Sequence, residues 1–218
     1  MKRDAVFFLS LFSFLFFLPG CGRLIDWGKE AVGQGEDLKK DLKETREHIC
    51  SSRIYDQFTL IGAFDSLWLT DQVRETYVDL YVLKHGKTEG DKKVLLRRQL
   101  EENNHFISFY VLSVSDIVIG EKDSEWTLLL KIGDYYFVPT ELKTTELTPE
   151  YKTIFGKKLT RFKTAYILRF NAKDIEDTPL IQPDVDAIHL VFRTTKKELV
   201  QSWCIRKDRK VSTAKACA

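Results

Sequence analysis

The four cysteines are the side chains whose positions point most directly to chemistry. Cys21 directly follows Pro19-Gly20 and an uncharged apolar run from Ala5 to Leu18, which is itself preceded by Lys2 and Arg3. A basic start and an apolar run of this length are typical of a secretory signal, whereas a membrane-spanning helix needs about 20 apolar residues. Because the thiolate of a cysteine is a nucleophile, Cys21 at the bilayer surface is suited to accept a lipid.

The segment Leu18-Pro19-Gly20-Cys21 resembles the lipobox of bacterial lipoproteins. In that family the thiol receives diacylglycerol, a signal peptidase cuts before the cysteine, and the new amine can be acylated too. The resemblance implies that residues 1–20 are removed and that Cys21 anchors the chain, since two or three acyl chains hold a protein stably on a membrane. Gly22, where an aspartate would favour the inner membrane, implies the outer membrane. The alternative is an ordinary secretory signal with an incidental cysteine.

If Cys21 is acylated, Cys50, Cys204 and Cys217 remain, and they lie in an oxidising compartment. Cys50 precedes the first predicted strand of the domain and Cys204 ends the last one, and terminal elements often lie close together. We therefore predict a Cys50–Cys204 disulfide. Buried thiols are the alternative, because cysteine packs well as a small hydrophobe.

Motifs of catalysis or of metal binding do not stand out in the rest of the sequence. It contains no nucleophile elbow, no H-E-x-x-H and no phosphate loop. His48 and Cys50 lack the further ligands that zinc needs. An aspartate cluster lies around Pro179 and Pro183 but lacks the glycine of a calcium loop, so a polar loop is favoured. Its members are Asp174, Asp177, Asp184 and Asp186. The sequence therefore predicts no metal, no cofactor and no catalytic residue.

Acid–base chemistry depends on whether the fold brings distant groups within hydrogen-bond reach. The candidates are Asp56, Glu101, Glu102 and His105, which lie beside a predicted helical insertion. They are the basis of the alternative that the chain is a lipid-tethered hydrolase.

The composition indicates one folded domain without a dominant charge. The chain has 218 residues, 44% of them hydrophobic, and 34 Lys and Arg against 32 Asp and Glu. This apolar fraction is enough for a core and excludes a disordered or collagen-like chain. The net charge of +2 argues against nucleic acid as a partner.

The hydrophobic periodicity predicts a few helices followed by many strands. Leu38, Leu42 and Ile49 form a narrow helical stripe. The segment 53–64 is predicted to be extended, and two helices are predicted within residues 70–104. Further strands are predicted at 106–114, 126–132, 135–142, 164–170, 187–192 and 199–205.

This pattern predicts an α+β fold that is mainly an antiparallel β-sandwich, with the immunoglobulin-like arrangement as one form of it. The predicted organisation follows from these segments. A signal peptide spans residues 1–20, a lipidated flexible tether 21–36, an N-terminal helix 37–52, a β-sandwich 53–205 with a two-helix insertion at about 70–104, and a basic polar tail 206–218.

Two further runs are similar to segments of uncharacterised bacterial lipoproteins. They are Arg53-Ile54-Tyr55-Asp56-Gln57-Phe58-Thr59 and Arg97-Arg98-Gln99-Leu100-Glu101-Glu102-Asn103. The resemblance covers residues 50–205. It implies the cellular address and the fold but no activity.

We expect a membrane-anchored envelope lipoprotein that is a non-catalytic binding or assembly module. Its expected partners are the membrane, through the N-terminal lipid, and another envelope protein. Strand edges can pair with a partner, so Tyr135, Tyr136 and Phe137 are contact candidates if they are exposed. The alternatives are the hydrolase and a surface adhesin.

Overall fold

The computed structural model describes residues 37–114, 117–121, 123–205 and 211–213. The predicted signal peptide, Cys21 and the predicted tether lie outside the described residues. The chain divides into two compact units, residues 1–40 and residues 41–218. In the first unit the described residues, 37–40, are helical. The account below concerns the second unit.

Helices and strands alternate in an irregular order along the described chain. The helices are α1 (residues 37–47), α2 (Asp71–His85), α3 (Glu89–His105) and α4 (Pro149–Phe155), with a 3-10 turn at Gly156–Lys158. The strands are β1 (Ile49–Asp56), β2 (Thr59–Trp68), β3 (Phe106–Val114), β4 (Thr127–Ile132), β5 (Tyr135–Phe137), β6 (Glu141–Thr144), β7 (Lys163–Asn171), β8 (Ala187–Arg193), β9 (Glu198–Ile205) and β10 (Val211–Thr213).

The strands form two five-stranded antiparallel sheets that pack face to face. The first sheet has the order β1-β2-β3-β7-β6 and the second the order β10-β9-β8-β4-β5. Aromatic side chains join them: the Phe64 and Phe192 rings stack with centroids 4.2 Å apart, and Phe109 lies 5.3 Å from Trp203. The predicted α+β fold, mainly antiparallel, is confirmed.

Helices cover the outer face of the first sheet and form a second core there. Leu67, Leu112 and Ile167 point away from the second sheet and pack in one cluster with Val73 of α2 and Ile154 of α4. Side chains of a strand alternate between the two faces of its sheet, so β2 and β3 are buried on both faces. The second sheet is buried on its inner face, as the alternating exposure of β4 and β9 shows.

Capping residues close in the sequence set the ends of the two predicted insertion helices, α2 and α3. The Thr70 hydroxyl accepts a hydrogen bond from Val73 N (3.3 Å), and Gly86, with φ of +57°, ends α2 in the left-handed region that suits glycine. Thr88 and Asp91 form a reciprocal capping box at the start of α3.

Three predicted boundaries are wrong. The N-terminal helix ends at residue 47, and residues 49–52 belong to β1 instead. The segment 53–64 is a hairpin whose turn contains Gln57, with φ of +53°. The region 135–142 is two strands in different sheets, because Pro139 has no N–H to continue a ladder and the Thr140 N–H donates to Arg169 O (2.8 Å) in the first sheet.

The predicted tail, 206–218, is also partly structured. Val211 to Thr213 form β10, which pairs with the end of β9. The edge of β9 offers unpaired backbone groups there, and a short strand satisfies them.

Candidate functional site

A cavity of about 460 Å³ opens at one end of the sandwich. It lies where β2 and β9 end and β3 begins, next to the loop between β7 and β8. Its lining residues are Trp68, Leu69, Thr70, Asp71, Gln72, Asn103, Phe106, Ile107, Pro179, Ile181, Gln182, Pro183, Val185, Asp186 and Ile205.

The inner wall of the cavity is apolar and is held by the first sheet. Trp68 and Ile107 are buried members of the core between the sheets. The Leu69 N–H donates to Ser108 O (2.9 Å), so the ladder continues one residue past β2 before the chain turns at Thr70 into α2. This wall is therefore an end of the hydrophobic core that remains open to the cavity.

The polar wall consists of side chains fixed by a chain of hydrogen bonds. Asn103 Nδ2 donates to Asp71 Oδ1 (2.7 Å), and Asn103 Oδ1 accepts from Arg74 Nε (2.6 Å). Arg74 is 1% exposed and also binds Glu102 and Gln99, at 2.8 Å each. Both ends of the Asn103 amide are thus held, and the wall needs little ordering when a ligand enters.

This network extends across the outer face of the first sheet. Glu102 also binds Arg169 (2.7 Å), and Arg169 binds Glu141 (2.6 Å). The Lys143 ammonium and the Arg169 guanidinium hold the pKa of Glu141 below its usual range. Burial raises the pKa of Tyr151, a buried residue of α4, far above its ordinary value.

The β7–β8 loop forms the outer wall, and its aspartates shape it. Asp174 Oδ1 accepts hydrogen bonds from Glu176 N (2.8 Å) and Thr178 N (2.9 Å). Asp177 pairs with Lys173 (2.8 Å). These carboxylates tighten the turn that precedes the lining residues. Among the described residues, no group of three or more His, Cys, Asp or Glu is arranged to hold a metal ion.

The chemistry of the lining suits binding. Its described residues combine aromatic and aliphatic side chains with amides and two carboxylates, Asp71 and Asp186, and include no lysine, arginine, histidine, serine or cysteine. Apolar cavities of this size with a few placed polar groups are typical of small-ligand sites. A ligand with an apolar body and hydrogen-bond donors or a positive charge fits these walls.

The structure does not bring the predicted acid–base candidates together. Asp56 is bound to Lys197 (2.9 Å) at the hairpin turn, about 30 Å along β2 from the cavity end. Lys197 lowers the pKa of Asp56. Glu102 belongs to the arginine network, and Glu101 and His105 do not line the cavity. These residues do not form a site in this arrangement.

A serine–histidine contact that sequence reasoning missed lies on the open face of the second sheet. His189 Nδ1 is 2.7 Å from Ser202 Oγ, and the two residues are direct cross-strand partners. Burial, and then the Lys131 charge, lower the pKa of His189. The pair lies away from the cavity lining, and it is accounted for as a cross-strand hydrogen bond.

The predicted Cys50–Cys204 disulfide stays a prediction. Cys204 is disulfide-bonded. Cys50 packs against the core between the sheets, while Cys204 follows the buried Trp203 and so lies on the opposite face of β9. The two side chains are on different sides of the second sheet.

The aromatic contact candidates are exposed in part. Tyr135 is 74% and Tyr136 46% exposed on β5, an edge strand of the second sheet, and Phe137 is partly buried against the core. Tyr136 already lies between two cations, Lys131 and Arg193, each 5.5 Å from its ring centroid.

Sequence reasoning missed the cavity because its lining comes from four separate segments. The β7–β8 loop was interpreted as polar from its aspartates. The signal that would have found it is the apolar set Leu180 and Ile181, between the two prolines, and Val185, just after them, which is unusual for a solvated loop.

None of the described helices combines the length and apolar character that a membrane crossing requires. Comparison of this chain with family models, with curated proteins and with solved structures gave no match.

Proposed function

We infer that this chain is a bacterial envelope lipoprotein whose folded domain is a binding module, with the end cavity as its binding site. The observation that carries the binding part is the cavity, whose apolar wall opens directly into the core. The lipobox-like segment at Cys21 supports the membrane anchor.

The polar wall is what makes the cavity a site rather than a packing gap. A gap at the end of a core would be lined by apolar atoms alone, whereas here Arg74 orients Asn103, and Asn103 in turn donates to Asp71. Fixed hydrogen-bond groups next to apolar surface provide both affinity and orientation for a ligand.

Acylation is tested by metabolic labelling with a palmitate analogue. We expect the label on the unmodified chain and its loss in Cys21→Ser. Cys50→Ser is the matched control and keeps the label. A chain that stays labelled after Cys21→Ser contradicts the anchor.

Occupancy of the cavity is tested by photocrosslinking in cells. A photoreactive phenylalanine analogue at Gln182, on the cavity rim, is expected to give an ultraviolet-dependent mass adduct. The same analogue at Val200, which is 47% exposed on the open face of the second sheet, is the control and gives none.

The specificity of the adduct is tested by blocking the cavity. Ile181→Trp places a large side chain in the cavity and is expected to abolish the Gln182 adduct. Equal adducts at Gln182 and Val200, or an adduct that survives Ile181→Trp, would contradict the proposed site.

A further inference from the structure

We propose that the end of the sandwich opposite the cavity docks onto an anionic lipid surface. The surface in question, called the distal face, consists of Arg53, Tyr55, Phe58, Lys157, Arg161 and Phe162. The proposal goes beyond the binding module proposed above, since it concerns other residues at the other end of the domain.

The segment that follows α4 is rich in basic residues and poor in acidic ones. From Tyr151 to Lys173 there is no Asp or Glu but seven Lys and Arg, in a chain whose net charge is only +2. Four of them, Lys157, Lys158, Arg161 and Lys163, follow one another between α4 and β7.

The contacts place this basic segment against the β1–β2 hairpin. Lys158 donates to Ser51 Oγ on β1, and Lys163 pairs with Asp65 on β2. Arg53 lies two residues beyond Ser51 on the same face of β1. Arg53 pairs with Ala63 on β2, and Ala63 lies level with Val114 on the next strand, β3. Val114 in turn pairs with Lys163 on β7. The cations therefore border a common stretch of the first sheet.

Three of these cations, Arg53, Lys157 and Arg161, form no ion pair with any of the described residues. The Asp65 carboxylate, which is 8% exposed, is already engaged by Lys158 and Lys163, and Asp56 at the hairpin turn is paired with Lys197. Arg53, Lys157 and Arg161 are exposed. An excess of several positive charges within a few strand widths attracts an anionic surface over about 8 Å at physiological ionic strength.

Exposed aromatic side chains accompany these cations. Phe58 at the hairpin tip is fully exposed, Phe162 is 61% exposed and Tyr55 50%. Arg161 lies 4.7 Å from the Phe162 ring centroid, so that charge and ring are presented together. A fully exposed phenylalanine on a tight turn, where Gln57 adopts φ of +53°, gains no burial from the fold.

A lipid surface is the partner that uses both features. Aromatic rings are favoured at the membrane interface, and each basic residue near an anionic bilayer adds to the attraction. The hairpin tip is narrow and carries one ring beyond the strands, a shape that can enter between headgroups.

Surface capture tests the proposal with the complete acylated protein, purified from membranes and held in nanodiscs of phosphatidylcholine. In these discs the distal face meets no anionic lipid of its own membrane. We expect capture by immobilised vesicles that contain phosphatidylglycerol and none by vesicles of phosphatidylcholine alone. Equal capture by both kinds of vesicle overturns the proposal.

Charge reversal identifies the surface. The double variant Lys157→Glu with Arg161→Glu is expected to weaken capture at least twentyfold, at about fivefold for each basic residue removed. The matched control is Lys93→Glu with Arg97→Glu on α3, which makes the same change in net charge at exposed positions elsewhere. An equal loss in the control overturns the proposal.

Removal of the apolar tip separates lipid from other polyanions. Phe58→Ser is expected to weaken vesicle capture about tenfold, because a buried phenyl ring contributes strongly to partitioning. Ile175→Ser, at a residue equally exposed at the cavity end, is expected to leave capture unchanged. If Phe58→Ser has no effect, or if the protein binds an anionic glycan but no vesicle, a lipid surface is not the partner.

These outcomes are independent of the proposed cavity function. The variants of the distal face are expected to lose vesicle capture but to form the Gln182 photoadduct as before. Ile181→Trp is expected to lose the photoadduct but to keep vesicle capture.

Discussion

The two sheets have the same number of strands and the same antiparallel pairing, but they are buried in different ways. In the first sheet every residue of β2 from Ala63 to Trp68 is buried, because the second sheet covers one face and helices cover the other. In β9 of the second sheet Leu199 is 8% and Val200 47% exposed, since one face is open to solvent.

This difference explains where polar groups are tolerated and at what cost. The open face of the second sheet carries charges in contact with water, such as Arg193 paired with Glu198. The helix α2, which covers the first sheet, carries Arg74, and this residue can be buried only because several acceptors surround it. A position on the first sheet is therefore expected to be far more sensitive than its counterpart on the second.

The largest effect is expected at the buried arginine. Arg74→Met leaves Asn103, Gln99 and one oxygen of Glu102 without their donor and should lower the free energy of unfolding by about 4 kcal/mol. Arg193→Met removes an exposed arginine of the second sheet and should leave the urea midpoint unchanged. Similar shifts in the two urea-unfolding curves would contradict the comparison.

The next effect is a loss of packing. Leu112→Ala, at a fully buried residue between the first sheet and the helices, should cost about 3 kcal/mol because it leaves a cavity that cannot collapse. Val200→Ala on the open face of the second sheet should change stability by less than about 0.5 kcal/mol. Urea unfolding at constant pH measures both, and a costly Val200→Ala would mean that this face is covered.

A smaller effect is expected from adding a methyl group. A Cβ at Gly62 on β2 would lie 2.7 Å from Ile54 Cγ2 and 2.9 Å from Trp126 Cζ2, so Gly62→Ala should cost about 2 kcal/mol through overpacking. At Gly133, in the β4–β5 turn of the second sheet, a Cβ meets nothing within 4 Å. Gly133→Ala should cost about 1 kcal/mol, from its φ of +57° alone. Thermal unfolding distinguishes the two, and equal costs would contradict the packing argument.

The smallest effect concerns the residue that joins the two sheets. The His48 carbonyl accepts a hydrogen bond from Trp203 Nε1 (2.8 Å), and burial lowers the pKa of the His48 imidazole below its usual 6.5, against the opposing charges of Glu47 and Glu44. The fold thus favours the neutral ring. The stabilisation that the neutral His48 ring provides is complete above pH 6.5. It declines as the pH falls toward the lowered pKa of this ring.

We expect the stability of the unmodified protein to decrease as the pH falls below that value, and His48→Gln to flatten this slope. His105→Gln, at a more exposed histidine, is the matched control and retains the slope. Unfolding free energies measured across this pH range test it, and an unchanged slope in His48→Gln would exclude His48 as its source.

The second sheet was the easier one to predict, for a physical reason. In β4 the buried residues Leu128, Leu130 and Ile132 alternate with more exposed ones, because one face of the strand contacts solvent and the other contacts the core. In the first sheet both faces are buried. The sequences of β2 and β3 are therefore nearly continuous apolar runs, in which hydrophobicity shows no clear period. The hairpin at Gln57 was missed because the turn lacks the glycine or proline that marks most turns.

The predicted insertion helices were close to their observed bounds because their caps are local. Thr70, Gly86 and Thr88 act on groups within a few residues of themselves. The sequence could not place the two cysteines of the predicted disulfide, because the face on which a strand residue lies depends on register and sheet order. Cys50 and Cys204 belong to different sheets.

The sequence alone determined what depends on neighbours along the chain: the strand and helix content, the helix ends, and the lipobox-like segment that predicts an anchor at Cys21. The tertiary structure decided what depends on residues far apart. It assembled the cavity from the ends of β2, β3 and β9 with the β7–β8 loop, and it placed the basic segment after α4 beside Ser51 and Asp65 of the first sheet. These groupings arise from the pairing of strands that are far apart in the sequence, and the local periodicity of hydrophobic residues does not predict that pairing.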